Sequence, residues 1–172
     1  MKYLPLTALE PGDCLLYAPK GFFGWVISIK TWHAIAHCEC YVGNGLSVAS
    51  RDGIGVGQYD WRRSELKYVL RPNQPFDLPA ALQRFDSEWR GQGYDWLGLL
   101  RFGWRAPVSA FRFQNKQFCS EFLARFYRAG GLDPFNRADA DSIAPFQFLL
   151  AWCFTVYEVI EGELVPTWKD AA

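Results

Sequence analysis

The stretch HCECYVGNGLSVAS, residues 37–50, is the strongest fold signal in the chain. From Ala36 to Val42 the side chains fall into two alternating sets, as they do on the two faces of a β-strand. The following Gly43-Asn44-Gly45 is a strong signal for a tight hairpin turn. The stretch therefore predicts a strand, a turn and a return strand over Leu46 to Ser50.

Short strands are also predicted on both sides of this hairpin, where apolar runs are bounded by glycine and proline. They comprise Cys14 to Tyr17, a glycine-rich segment in which Ile54 and Val56 are spaced for one strand face, a segment beginning with Lys67 to Leu70, and Phe154 to Ile160. Residues 25–32 fit a short helix or a strand equally well.

The second half of the chain changes to helical spacing. Helices are predicted from Pro79 to a stop at Gly91, around Asp95 to Phe102, over residues 119–129, and from about Pro145 to Trp152 after a cap at Asp141-Ser142. The third is the clearest, because its apolar residues form one stripe and Gly130-Gly131 follows it. No repeat or long linker divides the chain, so one α+β domain over residues 1–172 is expected.

Composition excludes several classes of protein. Half of the 172 residues are hydrophobic and the chain has 8 Trp, 8 Tyr and 14 Phe, enough to bury a full core, which excludes a disordered tail. Lys plus Arg equal Asp plus Glu at 18 each, with no long run of like charge. The basic patch expected of a nucleic-acid binder is missing, so no nucleic-acid partner is expected.

The sequence also bears on cellular location. No seven-residue apolar run precedes Glu10, so the start does not resemble a secretory signal, and no segment approaches the roughly 18 apolar residues of a membrane-spanning helix. Five cysteines, an odd number, fit a reducing compartment better than a disulfide framework. A cytoplasmic protein without a transmembrane segment is expected, and delivery by a secretion or phage system is left open.

Cys119 is a candidate nucleophile. It lies in the first turn of the predicted helix over residues 119–129, where free backbone amides and the helix dipole favour a thiolate. The alternative is a small buried hydrophobe, because Cys119 precedes Phe122 by three residues and Leu123 by four.

A thiol nucleophile needs a base, and the chain has only two histidines, His33 and His37. His37 lies on the predicted strand two residues before Glu39, so the two side chains leave the same face and the carboxylate could orient the imidazole. The alternative is a polar pair on the surface of an edge strand.

Two patterns suggest metal sites, and neither is convincing. His33 and His37 have the spacing of a zinc-protease helix, but Ala34 occupies the place of the catalytic Glu and the segment is predicted to be a strand. Cys38 and Cys40 share a strand face without a second cysteine pair, so core packing explains them better. No metal or other cofactor is expected.

Several segments, taken in order, resemble the permuted NlpC-like branch of the papain-fold thiol hydrolases, which includes YiiX-type bacterial proteins and the lecithin retinol acyltransferase-like group. The matching segments are PGDCLL (11–16), HCECYVGNG (37–45), SVASRDG (47–53), GYDWLG (93–98) and FCSE (118–121). The resemblance spans about residues 10–150. Its distinctive feature is the order, with a strand histidine some 80 residues before a helix cysteine.

The resemblance implies a circularly permuted papain-like (NlpC-type) α+β fold, with an antiparallel sheet packed against helices. It also implies that Cys119 is the nucleophile, that His37 is the general base, and that a polar third residue orients the imidazole. Family members often place that third group about twelve positions after the histidine, where this chain has Ala49. Glu39 is expected to take the role instead, as in a phage and bacterial subgroup with a His-x-Glu arrangement.

Asp52 is the second candidate for the orienting role. A two-residue turn at Asn44-Gly45 would pair Gly43 with Leu46 and hence His37 with Asp52. A three-residue loop would break that alignment.

The expected activity is a cysteine-dependent hydrolase that forms an acyl-enzyme on an amide or ester bond, with a cell-wall-type peptide or a lipid ester as substrate. An amine or alcohol acceptor would make it a transferase, and the oligomeric state is left open. Eight aromatic residues could line an apolar groove for an acyl chain: Phe22, Phe23, Trp25, Trp32, Trp61, Tyr94, Trp96 and Trp104. The alternative is a catalytically inactive papain-like module that binds a peptide, lipid or protein partner, with Cys119 buried and out of hydrogen-bond reach of His37.

Overall fold

A computed structural model describes residues 4–20, 33–95 and 116–167. Its main element is an antiparallel sheet of eight strands in the order β1-β10-β9-β6-β2-β3-β4-β5. The strands are β1 (Leu4–Pro5), β2 (Cys14–Tyr17), β3 (His37–Gly43), β4 (Leu46–Arg51), β5 (Gly55–Asp60), β6 (Leu66–Pro72), β9 (Phe154–Ile160) and β10 (Glu163–Pro166). Two short strands, β7 (Gly93–Tyr94) and β8 (Lys116–Gln117), form a separate parallel pair.

Two α-helices are present in the described part of the chain. Helix α1 (Leu78–Arg84) begins after Asp77, whose side chain accepts a hydrogen bond from the Ala80 amide at 3.0 Å, and it continues as a π-helical turn over Phe85–Trp89. Helix α2 (Cys119–Ala129) has the predicted bounds and ends at Gly130. Three 3-10 helices cover Leu6–Ala8, Ala140–Ser142 and Pro145–Leu150.

The sequence prediction was wrong in three details. The cap predicted at Asp141-Ser142 is instead part of a separate 3-10 helix, Ala140–Ser142, and Ala144 caps the next helix. The α-helix predicted from about Pro145 to Trp152 is a 3-10 helix that ends at Leu150. At its start, the backbone amide of the capping residue Ala144 donates a hydrogen bond to the Gln147 side chain. Ile54 lies in the turn before β5 and is exposed, so it does not share a strand face with Val56. Residues 25–32 and 96–102, for which other predictions were made, lie outside the described residues.

Two apolar clusters cover the opposite faces of the sheet. Alternation along β2 directs Cys14 and Leu16 into a cluster beneath α1 and α2, whereas Leu15 and Tyr17 enter a second cluster on the other face. The central strands are therefore buried on both sides, which explains why β2 is a continuous apolar run. The observed class is α+β with an antiparallel sheet and a few helices.

The register of the central hairpin decides which side chains meet. Gly43 pairs with Leu46 across the predicted two-residue turn, but Tyr41 pairs with Ser47, so one extra residue is accommodated at Val42. Every pair beyond this bulge is displaced by one residue from the ideal two-residue hairpin. Among the described residues, no helix is long and apolar enough to cross a membrane.

Candidate active site

Helix α2 places Cys119 at its first residue. The preceding Phe118 has extended backbone and no side-chain cap, so the first amides of the helix point outward without a partner from the helix itself. Cys119 packs in the cluster beneath the helix and is only 1% exposed. The predicted helix terminus is confirmed, and so is the burial that the alternative interpretation of Cys119 required.

Strand β3 begins at His37, opposite Tyr17 of β2, and brings the imidazole to Cys119. The His37 and Cys119 side chains are close enough to shift each other's pKa, and the His37 side chain is 17% exposed. His33 is directed elsewhere, since its ring stacks on Phe146 with 5.0 Å between centroids. The structure therefore selects His37 from the two candidate bases.

Glu39 lies on the same face of β3 as His37, as the strand period predicted. His37 Nε2 donates to Glu39 Oε1 at 2.9 Å, and the carboxylate is fully buried. Because Nε2 is occupied, Nδ1 is the nitrogen left for Cys119. The alternative pairing of His37 with Asp52, which required a two-residue turn without a bulge, is not formed, because the bulge at Val42 shifts the register by one residue and brings Arg51 towards that position.

The Glu39 carboxylate has a shell of donors that the sequence interpretation missed. Ser47 Oγ donates to Oε2 at 2.5 Å, and Arg51 donates from Nε at 2.9 Å and from Nη2 at 3.1 Å. Arg62 Nη2 lies 3.5 Å from Oε1. The sequence signal that could have revealed these donors is the alternation of side chains along β4, which places Ser47 and Arg51 on one strand face beside Glu39.

The pKa values of the three site residues diverge. Burial would lower the pKa of His37, but its hydrogen bonds to Cys119 and Glu39 outweigh this effect and raise the pKa to about 9. Burial would raise the pKa of Glu39, but its hydrogen bonds with His37, Arg51 and Ser47 lower it to about 2. The pKa of the Cys119 thiol is held well below its usual range. A thiolate beside an imidazolium is therefore the favoured state at neutral pH.

Cys38 contributes to this state, which the core-packing interpretation did not foresee. Its interaction with Cys119 is the largest single cause of the lowered pKa of Cys119, followed by burial, which opposes it, and by the His37 interactions, which lower the pKa further. Burial keeps the pKa of Cys38 itself high, so Cys38 remains a neutral donor. Cys40 is fully buried in the same apolar cluster, as predicted.

A cleft of about 320 Å³ opens beside His37. It is lined by residues from β2, β3, β4 and β7, from the segment before β3 and from the segments that follow β2, β4 and β5: Tyr17, Ala18, Lys20, Ala36, His37, Arg51, Asp52, Ile54, Arg62, Glu65 and Tyr94. The lining is strongly charged, unlike the apolar groove that the sequence suggested. Of the eight aromatic residues proposed for that groove, Tyr94 lines the cleft and Trp61 packs edge-to-face on Tyr41, whereas the other six lie outside the described residues.

The described residues contain no group of three or more His, Cys, Asp or Glu side chains arranged to hold a metal ion. Cys119, His37 and Glu39 instead bring a thiol beside a base that is hydrogen-bonded to a carboxylate. This is the arrangement that nucleophilic acyl transfer requires.

Comparison with known proteins gives no assignment for this chain. No protein-family model matches the sequence, and no curated protein matches it significantly. The function must therefore be argued from the geometry of the site.

Proposed function

We propose that this protein is a cysteine-dependent acyl hydrolase with a circularly permuted papain-like (NlpC-type) fold. Its substrate is an amide or ester, of the cell-wall peptide or lipid type, and the reaction proceeds through a thioester on Cys119. The observation that carries the proposal is the juxtaposition of Cys119, His37 and Glu39, in which the thiol lies at a helix N-terminus beside an imidazole that is hydrogen-bonded to a buried carboxylate.

In the first half of the reaction, the Cys119 thiolate attacks the substrate carbonyl carbon. A C–S bond forms, and the carbonyl electron pair moves onto oxygen. The Cys119 backbone amide, together with a second donor, stabilises this oxyanion because it has no partner within the helix. When the tetrahedral intermediate collapses, the His37 imidazolium gives its proton to the departing amine or alkoxide.

In the second half, His37 is neutral and accepts a proton from water. The hydroxide attacks the thioester, the acid product leaves, and the thiolate and imidazolium are restored. An amine or alcohol in place of water gives acyl transfer with the same balance of protons. Glu39 keeps Nε2 of His37 protonated throughout, so Nδ1 faces the sulfur and the leaving group.

Two further features support the family placement. The strand histidine precedes the helix cysteine in the chain, as in the permuted branch, and the helix packs on an antiparallel sheet that contains the histidine strand. Glu39 occupies a position different from that of the polar residue common in the family, since Ala49 stands at that place.

The first test requires no substrate. Iodoacetamide alkylation of all five cysteines is followed against pH on the native protein by peptide mass spectrometry. Cys119 is expected to react selectively below pH 7, because its pKa is lowered, and His37→Ala should abolish this reactivity by removing the imidazolium. The control is His33→Ala, which should leave the profile unchanged. Slow reaction of Cys119 throughout would contradict the proposal.

One observation favours a second candidate, a catalytically inactive module that binds a peptide, lipid or protein partner. Cys119 is 1% exposed, as that candidate requires, although its electrostatic interaction with His37 favours an activated thiol instead. The alkylation experiment separates the two, because an inactive module would react no faster at Cys119 than at buried Cys14.

A further inference from the structure

The cleft beside His37 contains three cations, and they differ in how well they are paired. Arg51 donates twice to Glu39 and once to the Asp60 carbonyl oxygen, at 2.8 Å. Lys20 forms an ion pair with Glu65 at 3.0 Å. Both groups are therefore committed to partners within the protein.

Arg62 is the under-paired cation. Its one carboxylate contact in the described part of the chain is the 3.5 Å approach to Glu39, whose oxygens already accept from His37, Ser47 and Arg51. The buried Arg62 Nε makes no hydrogen bond. A guanidinium has five N–H donors, and on Arg62 at least the Nε–H is available to a ligand.

Tyr17 supplies an independent observation that a ligand group belongs here. The residue is 1% exposed and lines the cleft, yet its buried hydroxyl has no hydrogen-bond partner of good geometry. The Arg62 guanidinium lies over the Tyr17 ring, 4.9 Å from its centroid. Burial, together with the nearby Glu39 carboxylate, raises the pKa of Tyr17, so the hydroxyl remains a donor.

A buried donor without a partner is costly, and two such donors side by side favour an acceptor with negative charge. No carboxylate of the cleft supplies it, because Glu65 pairs with Lys20 through Oε1 while its buried Oε2 makes no hydrogen bond, and Asp52 is exposed. A planar guanidinium over an aromatic ring is suited to bidentate contact with a carboxylate or phosphate.

We propose that the substrate carries an anionic group, carboxylate or phosphate, near its scissile carbonyl, and that Arg62 and the Tyr17 hydroxyl bind it in the cleft beside His37. That the bound anion belongs to a substrate rests on the proposed function, whereas the existence of the anion site does not. The proposal narrows the substrate class, since a neutral lipid ester or an amide without a nearby acid would leave both donors unmet.

The binding test uses Cys119→Ala, so that it is independent of catalysis. Butyrate, butyl phosphate and butyramide are titrated separately into ¹⁵N-labelled protein, and the Arg62 Nε–H resonance is followed by NMR. At least one anion should shift that resonance saturably while butyramide does not, and the anion that binds more tightly identifies carboxylate or phosphate as the source. Equal effects of all three probes, or none, would overturn the anion site.

Two variants refine the binding test. Arg62→Gln, which lacks the Arg62 Nε–H and is followed by the backbone amide resonances of the cleft instead, should weaken anion binding by roughly tenfold or more, which corresponds to the loss of a charge-assisted hydrogen bond. Arg63→Gln is the matched control, because Arg63 is exposed and does not line the cleft. If Arg62→Gln fails to fold, the comparison of the two anions with butyramide on the Cys119→Ala protein, in which Arg62 is intact, still decides whether the cleft binds anions.

A second measurement separates this proposal from the proposed function. Native protein is alkylated with neutral iodoacetamide or anionic iodoacetate, and the ratio of the two rates at Cys119 is compared between Arg62→Gln and Arg63→Gln. Arg62→Gln should lower the iodoacetate rate relative to the iodoacetamide rate. An unchanged ratio would contradict the proposal that Arg62 attracts anionic groups to the Cys119 sulfur. If Cys119 resists both reagents while the NMR titration shows anion binding, the catalytic proposal fails and the anion site stands.

Discussion

At the scale of single residues, Glu39 has two tasks that one substitution can separate. Its carboxylate orients the His37 ring and raises the pKa of His37. Glu39→Gln keeps the shape of the side chain but removes its charge, so the pKa of His37 should fall from about 9. His37 should then lose its proton at a lower pH than it does in the native protein. Turnover should fall more than in Asp52→Asn, because Asp52 is exposed and has a smaller effect on His37. NMR titration of His37 measures the shift, and the opposite ranking of the two variants would transfer the orienting role to Asp52.

Cys38 and Cys40 test whether a neutral thiol can support a thiolate. Cys38→Ala removes the interaction that most lowers the pKa of Cys119, so that pKa should rise and the pH at which alkylation is half-maximal should move upwards. Cys40→Ala is the matched control, since it removes the same atoms from the same strand face two residues away. Equal midpoints in the two variants would show that Cys38 only fills space.

At the scale of elements, helix α2 is held close to the segment before α1 at a point where only glycine fits. A Cβ on Gly130 would lie 2.3 Å from the Phe76 ring and 2.7 Å from the Asp77 carbonyl oxygen. Gly130→Ala should therefore destabilise the protein by roughly 1–3 kcal/mol, as overpacking does. Gly57→Ala is the control, because its Cβ would meet only the Tyr59 side chain. Urea denaturation measures both, and equal losses would mean that the contact at Gly130 is readily relieved.

The elements also show how far the sequence could be interpreted. The bounds of α2 and the β3–β4 hairpin were predictable because periodicity and glycine stops are local signals. The hydrogen bond between His37 and Glu39 followed from the strand period alone. The bulge at Val42 was not predictable, since it depends on packing around the hairpin, and it decides that Arg51 rather than Asp52 supports the site. Arg62 comes from the segment after β5, and no local pattern placed it at the cleft.

At the scale of the whole molecule, one buried ion pair ties the start of the chain to the sheet. Arg71 on β6 donates to both oxygens of Asp13, at 3.0 and 2.9 Å, and to the Ala8 carbonyl oxygen at 2.7 Å. Asp13 is buried and immediately precedes β2, the strand that pairs with β3. The pair thus fixes the entry of the strand against which His37 is registered.

Removing one partner of such a pair leaves an uncompensated buried charge, so Arg71→Met should cost about 3–5 kcal/mol. The control is Arg84→Met, which breaks an exposed pair with Glu88 and should cost about 0–1 kcal/mol.

Burial already raises the pKa of Asp13 against the opposing effect of Arg71, and loss of Arg71 should raise it further. The Arg71→Met protein should therefore recover part of its lost stability as pH falls and Asp13 takes up a proton. Urea denaturation of both variants at neutral and acidic pH measures these effects. If the loss of unfolding free energy in Arg71→Met is as large at acidic pH as at neutral pH, Asp13 is not left as an unpaired charge.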